Sequence, residues 1–542
     1  MTATIGQRGI VLLILTAVVP YLNALPNDFT LDDHGLILSN ASVASFDLAT
    51  MWSGDYWAGY DTNARSGLYR PLTLTSFAVE YAVFGPSPLP YHLTNLLLHL
   101  AVTILAWRLF LRFTNDNAAL WGAALFAVLP GHSEAVIAVA GRADLLATLA
   151  SLVALWIWSG ARTTGSTLTG ALCFALGLLA KEQAIVVPAL LLCIHWWQHQ
   201  RQQRTWHWQP YGMSALVTLV YLLIRYSVLG GVAGLDVEPL DNPLVNLAGL
   251  ERMVAALTVA TRYAGLLIAP NQLSADYSFA AIDVSDLPLL DTVAGLLLAA
   301  GAIAAAWRFL RQPDTFGLAM MWLVICFAPL INVLFPIGTI MAERISYAPS
   351  VGYALGCGWV MSEARRRLGW PLLRSLGSAL LLVLAVRTAV RCSDWRDELS
   401  LFRAVVAVHP KSAKGHKGLA TALADVGRVS EAEQHYREAI DIYPRFDTAH
   451  YNLGRLLFGT MRYDEALFHF ERACVLRPVH AGAHLNRGVV LFQLGRLQQA
   501  MEATRAALVA RPNWDMAQDN LRDIEAAHIR VQAADRRQEN SE

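Results

Sequence analysis

The chain reads as an all-α protein in two parts: a multi-pass transmembrane helical bundle of about eleven spans over residues 1–391, then an α-solenoid of short helical repeats over 392–530 with a polar tail, 531–542. Three observations predict it. Of the 542 residues, 55% are hydrophobic and only 15% charged, with a mean hydropathy of +0.39, well away from soluble composition. Apolar runs near the bilayer-crossing length of about twenty residues recur up to residue 390. Beyond them, Pro410, Pro444, Pro478 and Pro512 return every 34 residues.

The runs fall at about 9–25, 92–111, 117–133, 142–159, 166–181, 184–198, 211–229, 288–307, 315–335, 345–362 and 373–390. Arg8, Arg108 and Arg112, Arg162, Arg201 and Arg204, Arg308 and Arg311, and Arg365, Arg366, Arg367 and Arg374 mark every second boundary, which assigns those boundaries to the cytoplasm. The N-terminus is then cytoplasmic, and the 26–90 loop and the repeats are external, periplasmic or lumenal. Arg8 ahead of an apolar run also suits a signal peptide, but Leu22-Asn23-Ala24 is a poor cleavage site, so the run is expected to stay as the first span.

A twelfth run, 251–269, is flanked by Asp236, Glu238 and Asp241 before it and Asp276, Asp283 and Asp286 after it. Acidic flanks at both ends predict a helix on the outer face rather than a span. Leu68 to Gly85, with Arg70, Pro71 and Glu80, reads as a second interfacial helix.

In the last part the 34-residue period carries Ala432, Ala466 and Ala500, then Ala439, Ala473 and Ala507, with Gly427 and Gly495 at the intervening turn. Small residues let paired helices stack, and Pro ends each second helix: this is the tetratricopeptide pattern. It divides into a half repeat at 395–410, full repeats at 411–444, 445–478 and 479–512, and a capping helix at 513–530. Met461 replaces the turn Gly in the middle repeat and Arg487 an apolar residue in the third.

Basic and acidic residues balance at 42 each, which argues against a nucleic-acid partner. The six cysteines show no disulfide framework or metal-ligand spacing.

The chemistry-bearing residues gather at external span ends. Asp32 and Asp33 follow the first span; adjacent carboxylates repel, and burial raises at least one pKa, making a usable proton acceptor. Capping of the following turn is the plainer reading of an Asp pair. His132 and Glu134, Arg142 and Asp144, Lys181 and Glu182, and Glu343, Arg344 and Tyr347 complete the group. Charges at membrane depth are costly, and Arg142 and Lys181 suit either an anionic headgroup or an interhelical ion pair. His92 and His99, seven apart on one helix face, are expected to be packed and hydrogen-bonded; His132 and Glu134 lack a further ligand, so a divalent cation is only a minor alternative to no metal.

Phe29 to Asn40, Tyr69-Arg70-Pro71-Leu72-Thr73 with Tyr91-His92-Leu93-Thr94-Asn95, His132-Ser133-Glu134-Ala135-Val136 leading to Gly141-Arg142-Ala143-Asp144-Leu145-Leu146, Lys181-Glu182-Gln183, and Ala342-Glu343-Arg344-Ile345-Ser346-Tyr347-Ala348-Pro349-Ser350 together resemble the transmembrane and tetratricopeptide-repeat O-mannosyltransferases. The resemblance runs the length of the chain in order. Leu129 departs from it, standing where the family's stretch usually carries another His, and the repeat array is short.

The resemblance implies a C-type glycosyltransferase fold, a polyprenyl or dolichyl phosphate sugar donor, and Ser or Thr hydroxyls of exported proteins as acceptors. Asp32 or Asp33 would be the catalytic base. Arg142, Lys181 or Arg344 would stabilise the leaving phosphate, so that no cofactor is required. Arg70, His132, Glu134, Glu182, Glu343 and Tyr347 are expected in support, with membrane lipid around the bundle. Two rivals remain: an enzyme glycosylating a lipid or cell-wall polymer, and a non-enzymatic scaffold whose working part is the repeats.

Overall fold

A computed structural model describes residues 2–60, 66–160, 163–231, 237–284 and 287–539, without the side chains of 2–7, 366–368, 538 and 539. Arg162, Asp236 and Asp286 of the charge pattern therefore lie outside the described residues, as do the side chains of Arg366 and Arg367. The described residues are helical, with one isolated bridge between Phe279 and Ile282 and no strand.

Every expected span falls at least in part on a helix, and the helix ends follow local chemistry. Asn115 accepts the Ala118 N–H and Asp314 the Gly317 N–H, capping two of them, and Thr163 with Ser166 forms a reciprocal capping box. By length and composition, however, five helices among the described residues suffice to cross a membrane: Pro88–Phe110, Val139–Trp158, Gln209–Leu229, Leu289–Arg311 and Trp370–Asp394. A sixth arises if Asp116–Ala127 and Pro130–Ile137, bent by 53°, count as one. The count of eleven therefore leans on shorter helices as well, among them Thr164–Ala180 and Thr315–Phe327.

The expected run 117–133 breaks because Pro130 has no N–H to continue a helix and holds Leu129 extended, at φ −64° and ψ 120°. The run 315–335 stops as an α-helix at Phe327, just before Pro329. Glycine sets close approaches elsewhere: a Cβ at Gly122 would lie 2.6 Å from the Ala354 carbonyl oxygen, and one at Gly358 would lie 2.3 Å from that of Ala118, so the helices Asp116–Ala127 and Tyr347–Leu368 pack nearly backbone to backbone.

The helix Gly249–Ile268 buries Ala255, Ala256, Val259, Tyr263, Leu266 and Leu267 and exposes Leu250 and Met253. It packs with the loop 328–346 in a satellite core containing Leu330, Ile340, Met341 and Ile345. The interfacial helix expected at 68–85 runs Pro71–Phe84 and leaves Val79, Val83 and Phe84 exposed.

The chain divides into units Met1–Ala404 and Val405–Glu542, whereas the sequence placed the break at 391. The half repeat straddles that division because Trp395 and Leu401 sit in the core of the first unit. In the second unit the helix pairs Ala413–Asp425 with Val429–Ile442, Asp447–Gly459 with Tyr463–Leu476, and Ala481–Gln493 with Leu497–Ala510 match the three repeats. The six periodic alanines have no exposed surface.

Gly427 and Gly495 turn at φ 76° and 74°, and Met461 is held in the same left-handed region at φ 61°, where an L side chain costs about 1–2 kcal/mol. Arg487 is accommodated beside Glu471 at 3.5 Å. The last helix, Asp515–Glu539, runs into the stretch expected to be a polar tail; the Ala, Arg, Gln and Glu residues there keep good helix propensity on a solvated face. All six cysteines are free thiols.

Candidate active site

The loop after the first helix is backbone-strained where the carboxylates begin. Leu31 adopts φ 52°, and its N–H donates to Glu398 Oε1 at 2.7 Å, so a residue from the far end of the unit holds the turn. A π-helical turn, His34–Leu38, follows, with Gly35, Leu36 and Ile37 buried.

Within this turn the two aspartates part company. Asp33 has no exposed surface; its carboxylate accepts the N–H of Ala140 at 2.7 Å and those of Thr30 and Val139 at 3.2 Å each. Burial pushes its pKa up to about 7 against the lowering pull of those three N–H groups, with the Asp32 charge adding a smaller push. Asp32 is partly exposed and has no hydrogen bond or ion pair among the described residues. Its field reaches Arg344 and the buried Tyr56.

Arg344 has a third of its side chain exposed and holds Glu134 Oε1 at 2.8 Å, while its N–H donates to Glu134 Oε2 at 3.0 Å. Burial works against its charge, but Glu134 first, then Asp32 and Asp144, outweigh burial and raise its pKa. Lys181 lies between both Asp144 oxygens at 2.8 and 2.7 Å, nearly enclosed. Arg70 forms a bidentate pair with Glu182, at 3.1 and 2.6 Å, and its guanidinium lies 5.4 Å from the Tyr56 ring centroid. Asp32, Glu134, Arg344, Asp144, Lys181, Arg70 and Glu182 thus form one electrostatically continuous group.

Arg142 stands apart from this group in chemistry. It is 1% exposed and fully engaged, donating to Glu80 at 2.7 Å, to Asn95 at 2.9 Å and to the Tyr91 carbonyl at 3.1 Å, with the Phe77 ring against it. In this arrangement it braces helices and presents no surface to a headgroup. Lys181 is similarly committed, so of the three expected donor-binding cations Arg344 is the accessible one.

His132 and Glu134 point to different partners. His132 Nε2 contacts Ser350 Oγ at 2.8 Å; that hydroxyl already donates to the Tyr347 carbonyl, so the histidine donates here and its Nδ1 is a buried lone pair. Tyr347 Oη lies 2.8 Å from His99 Nδ1, and His99 Nε2 lies 3.1 Å from the Ala127 carbonyl, which makes Nδ1 the acceptor. His92 Nε2 meets the Asn27 carbonyl at 3.1 Å. Both histidines of the helix are packed and bonded, as their spacing suggested.

Glu343 is fully buried, taking the Tyr277 hydroxyl at 3.0 Å with Arg391 at 3.5 Å; burial foremost pushes its pKa up to about 7, against the lowering pull of Arg391. Sequence reasoning did not single out Asn95 as Arg142's partner, nor Tyr277 and Arg391 as partners of Glu343, nor Glu398 as the brace of the turn. The Arg391 and Asp394 pair at i,i+3 is the one local signal that marked such a position.

A helical membrane protein with a buried charged cluster and a tetratricopeptide solenoid is the class that fold and site define. The tetratricopeptide repeat family matches residues 383–445 and 448–513. The chain's curated homologues are protein O-mannosyl-transferases of the transmembrane and tetratricopeptide-repeat family. Protein O-mannosyl-transferase F38B6.6 of Caenorhabditis elegans is 31% identical over 446 residues, covering 80% of this chain and 62% of that one. Protein O-mannosyl-transferase Tmtc3 of Drosophila melanogaster is 29% identical, covering 78% and 54%, and human protein O-mannosyl-transferase TMTC4 is 29% identical, covering 78% and 64%. The chain therefore spans a little over half to nearly two thirds of these relatives' length.

Proposed function

We propose that the chain is a membrane glycosyltransferase that moves one sugar, mannose, from a polyprenyl or dolichyl phosphate carrier to Ser or Thr hydroxyls of exported proteins. Asp32 is the general base. The single observation behind this assignment is the division of labour in the aspartate pair: Asp33 is consumed by three backbone N–H groups, while Asp32 stays partly exposed and unpaired within the field of Arg344.

In the step, the acceptor hydroxyl attacks the anomeric carbon as Asp32 takes its proton. The bond from that carbon to the phosphate oxygen breaks, the carrier phosphate leaves with the electron pair, and the anomeric centre inverts. Arg344 supplies positive charge where the leaving oxygen becomes negative. Lys181 and Arg70, held by Asp144 and Glu182, keep the surroundings cationic and ordered. The 26–90 loop and the repeats lie on the external side in this reading, where the repeats engage the acceptor protein.

The test is transfer of labelled mannose from its polyprenyl phosphate to an acceptor protein by the purified chain. Transfer lost in Asp32→Asn with the fold intact supports the reading. Transfer unchanged in that variant overturns the base assignment, and no transfer by wild type from any polyprenyl phosphate sugar overturns the donor class.

A further inference from the structure

The first full repeat carries a cluster that the transferase chemistry does not use. His416, on the helix Ala413–Asp425, faces His435 and Glu438, one turn apart on the helix Val429–Ile442. His416 Nδ1 lies 3.0 Å from His435 Nδ1 and 2.8 Å from Glu438 Oε2, and His435 Nδ1 lies 3.1 Å from the same oxygen. These three atoms make a nearly equilateral triangle. His416 is almost enclosed, while Glu438 is 40% exposed.

The tautomer gives the triangle its meaning. His416 Nε2 lies 2.9 Å from the Pro410 carbonyl, a pure acceptor, so Nε2 carries the proton and neutral His416 turns a lone pair inward. Glu438 is an acceptor as well. Two electron-pair donors at 2.8 Å repel unless a proton or a metal cation lies between them. With metal–ligand bonds of about 2.0–2.1 Å, tetrahedral zinc separates its ligands by ~3.3 Å, so the triangle needs to open by only a few tenths of an ångström.

The repeat period supplies an internal comparison. The next repeat reproduces the histidine pair: His450 Nδ1 lies 3.0 Å from His469 Nδ1, with His450 Nε2 on the Pro444 carbonyl. The position of Glu438, 34 residues on, is Arg472. One N–H between the two rings satisfies that pair, and a cation beside it disfavours a metal. In the third repeat His484 keeps the bond to Pro478, but Ala503 stands where the second histidine would be. Among the described residues, only the first repeat brings three such ligand atoms together.

We propose that His416, His435 and Glu438 bind a divalent transition metal of the zinc class, which ties together the two helices of the first full repeat. Two imidazoles and a carboxylate suit zinc better than magnesium or calcium, which prefer all-oxygen sites. Three protein donors leave a fourth position for water.

The test titrates the full-length chain in detergent, stripped with a chelator, with Zn²⁺ against a chromophoric competitor, comparing wild type with Glu438→Gln, His435→Gln and His469→Gln. Circular dichroism checks that each variant is folded. Expected are one equivalent bound by wild type, at least about tenfold weaker binding in the first two variants, and wild-type binding in His469→Gln. Co²⁺ should give a tetrahedral visible spectrum that Glu438→Gln loses. No zinc bound by wild type, wild-type affinity in either of the first two variants, or an equal loss in His469→Gln would overturn the site.

Discussion

The Asp33 carboxylate accepts the backbone N–H of Ala140 at 2.7 Å, joining the turn after the first helix to the start of the helix that carries Arg142 and Asp144. One acidic residue therefore sets the position of its neighbour Asp32 relative to the charged cluster.

Substitution separates the two roles. Asp32→Asn should cut transfer by about 10²–10⁴-fold, the usual contribution of a general base, and leave thermal unfolding unchanged. Asp33→Ala strands three buried N–H groups at about 1–3 kcal/mol each, so it should lower the unfolding temperature together with activity. Transfer assays beside thermal scans check this; an Asp33→Ala variant as stable as wild type contradicts the positioning role.

The cations should separate in the same way. Lys181→Met leaves Asp144 buried without its partner, which costs about 3–5 kcal/mol and should appear first as instability. Arg344→Met acts on a partly exposed group, so donor titration should show a fall in turnover larger than any loss of stability accounts for. Unchanged kinetics in Arg344→Met would remove it from the donor site.

Gly141 permits the turn that presents the Ala140 N–H. A Cβ there would meet the Ala135 carbonyl oxygen at 2.5 Å, against 3.7 Å to the nearest atom, Ser346 Oγ, at Gly131. Gly141→Ala is expected to lose stability and transfer together, while Gly131→Ala stays close to wild type in both; thermal unfolding and transfer of the two variants, measured in parallel, decide it.

Asp33 and Glu343 both have pKa values raised to about 7 from ordinary carboxylate values near 4. Between those limits the folded state holds protons that the unfolded state has released, so these groups favour folding at low pH and their contribution is lost as pH rises through 7. Unfolding temperature should therefore fall between about pH 4 and 7 and level off above that. Glu343→Gln, which stays neutral, should flatten that fall; a slope identical to wild type contradicts the assignment.

The helix Gly249–Ile268 tests the external placement of its flanks. Single cysteines at exposed Glu238 and Asp283, in a background without native Cys, should both react with an impermeant thiol reagent in intact cells. Labelling at one flank alone would make this helix a span and reverse everything after it.

Local pattern carried the repeats and the helices far. The 34-residue period located the paired helices, because each repeat must bury the same small residues against its neighbours, and apolar runs located the membrane helices, because a bilayer demands length and hydrophobicity. Pro130 made the break of 117–133 legible in principle. The apolar run 118–129 ahead of it masks the break, although the polar His132, Ser133 and Glu134 follow directly.

By itself, the sequence determined a helical membrane bundle, a tetratricopeptide solenoid and the residue types gathered around Asp32 and Asp33. Tertiary structure decided which carboxylate is free and which cation is accessible. Asp33 is captured by N–H groups of Val139 and Ala140, and Lys181 by Asp144, contacts between segments far apart in the chain. Burial and hydrogen-bond partnership, which set a charged group's chemistry, are properties of packed neighbours and leave no local mark.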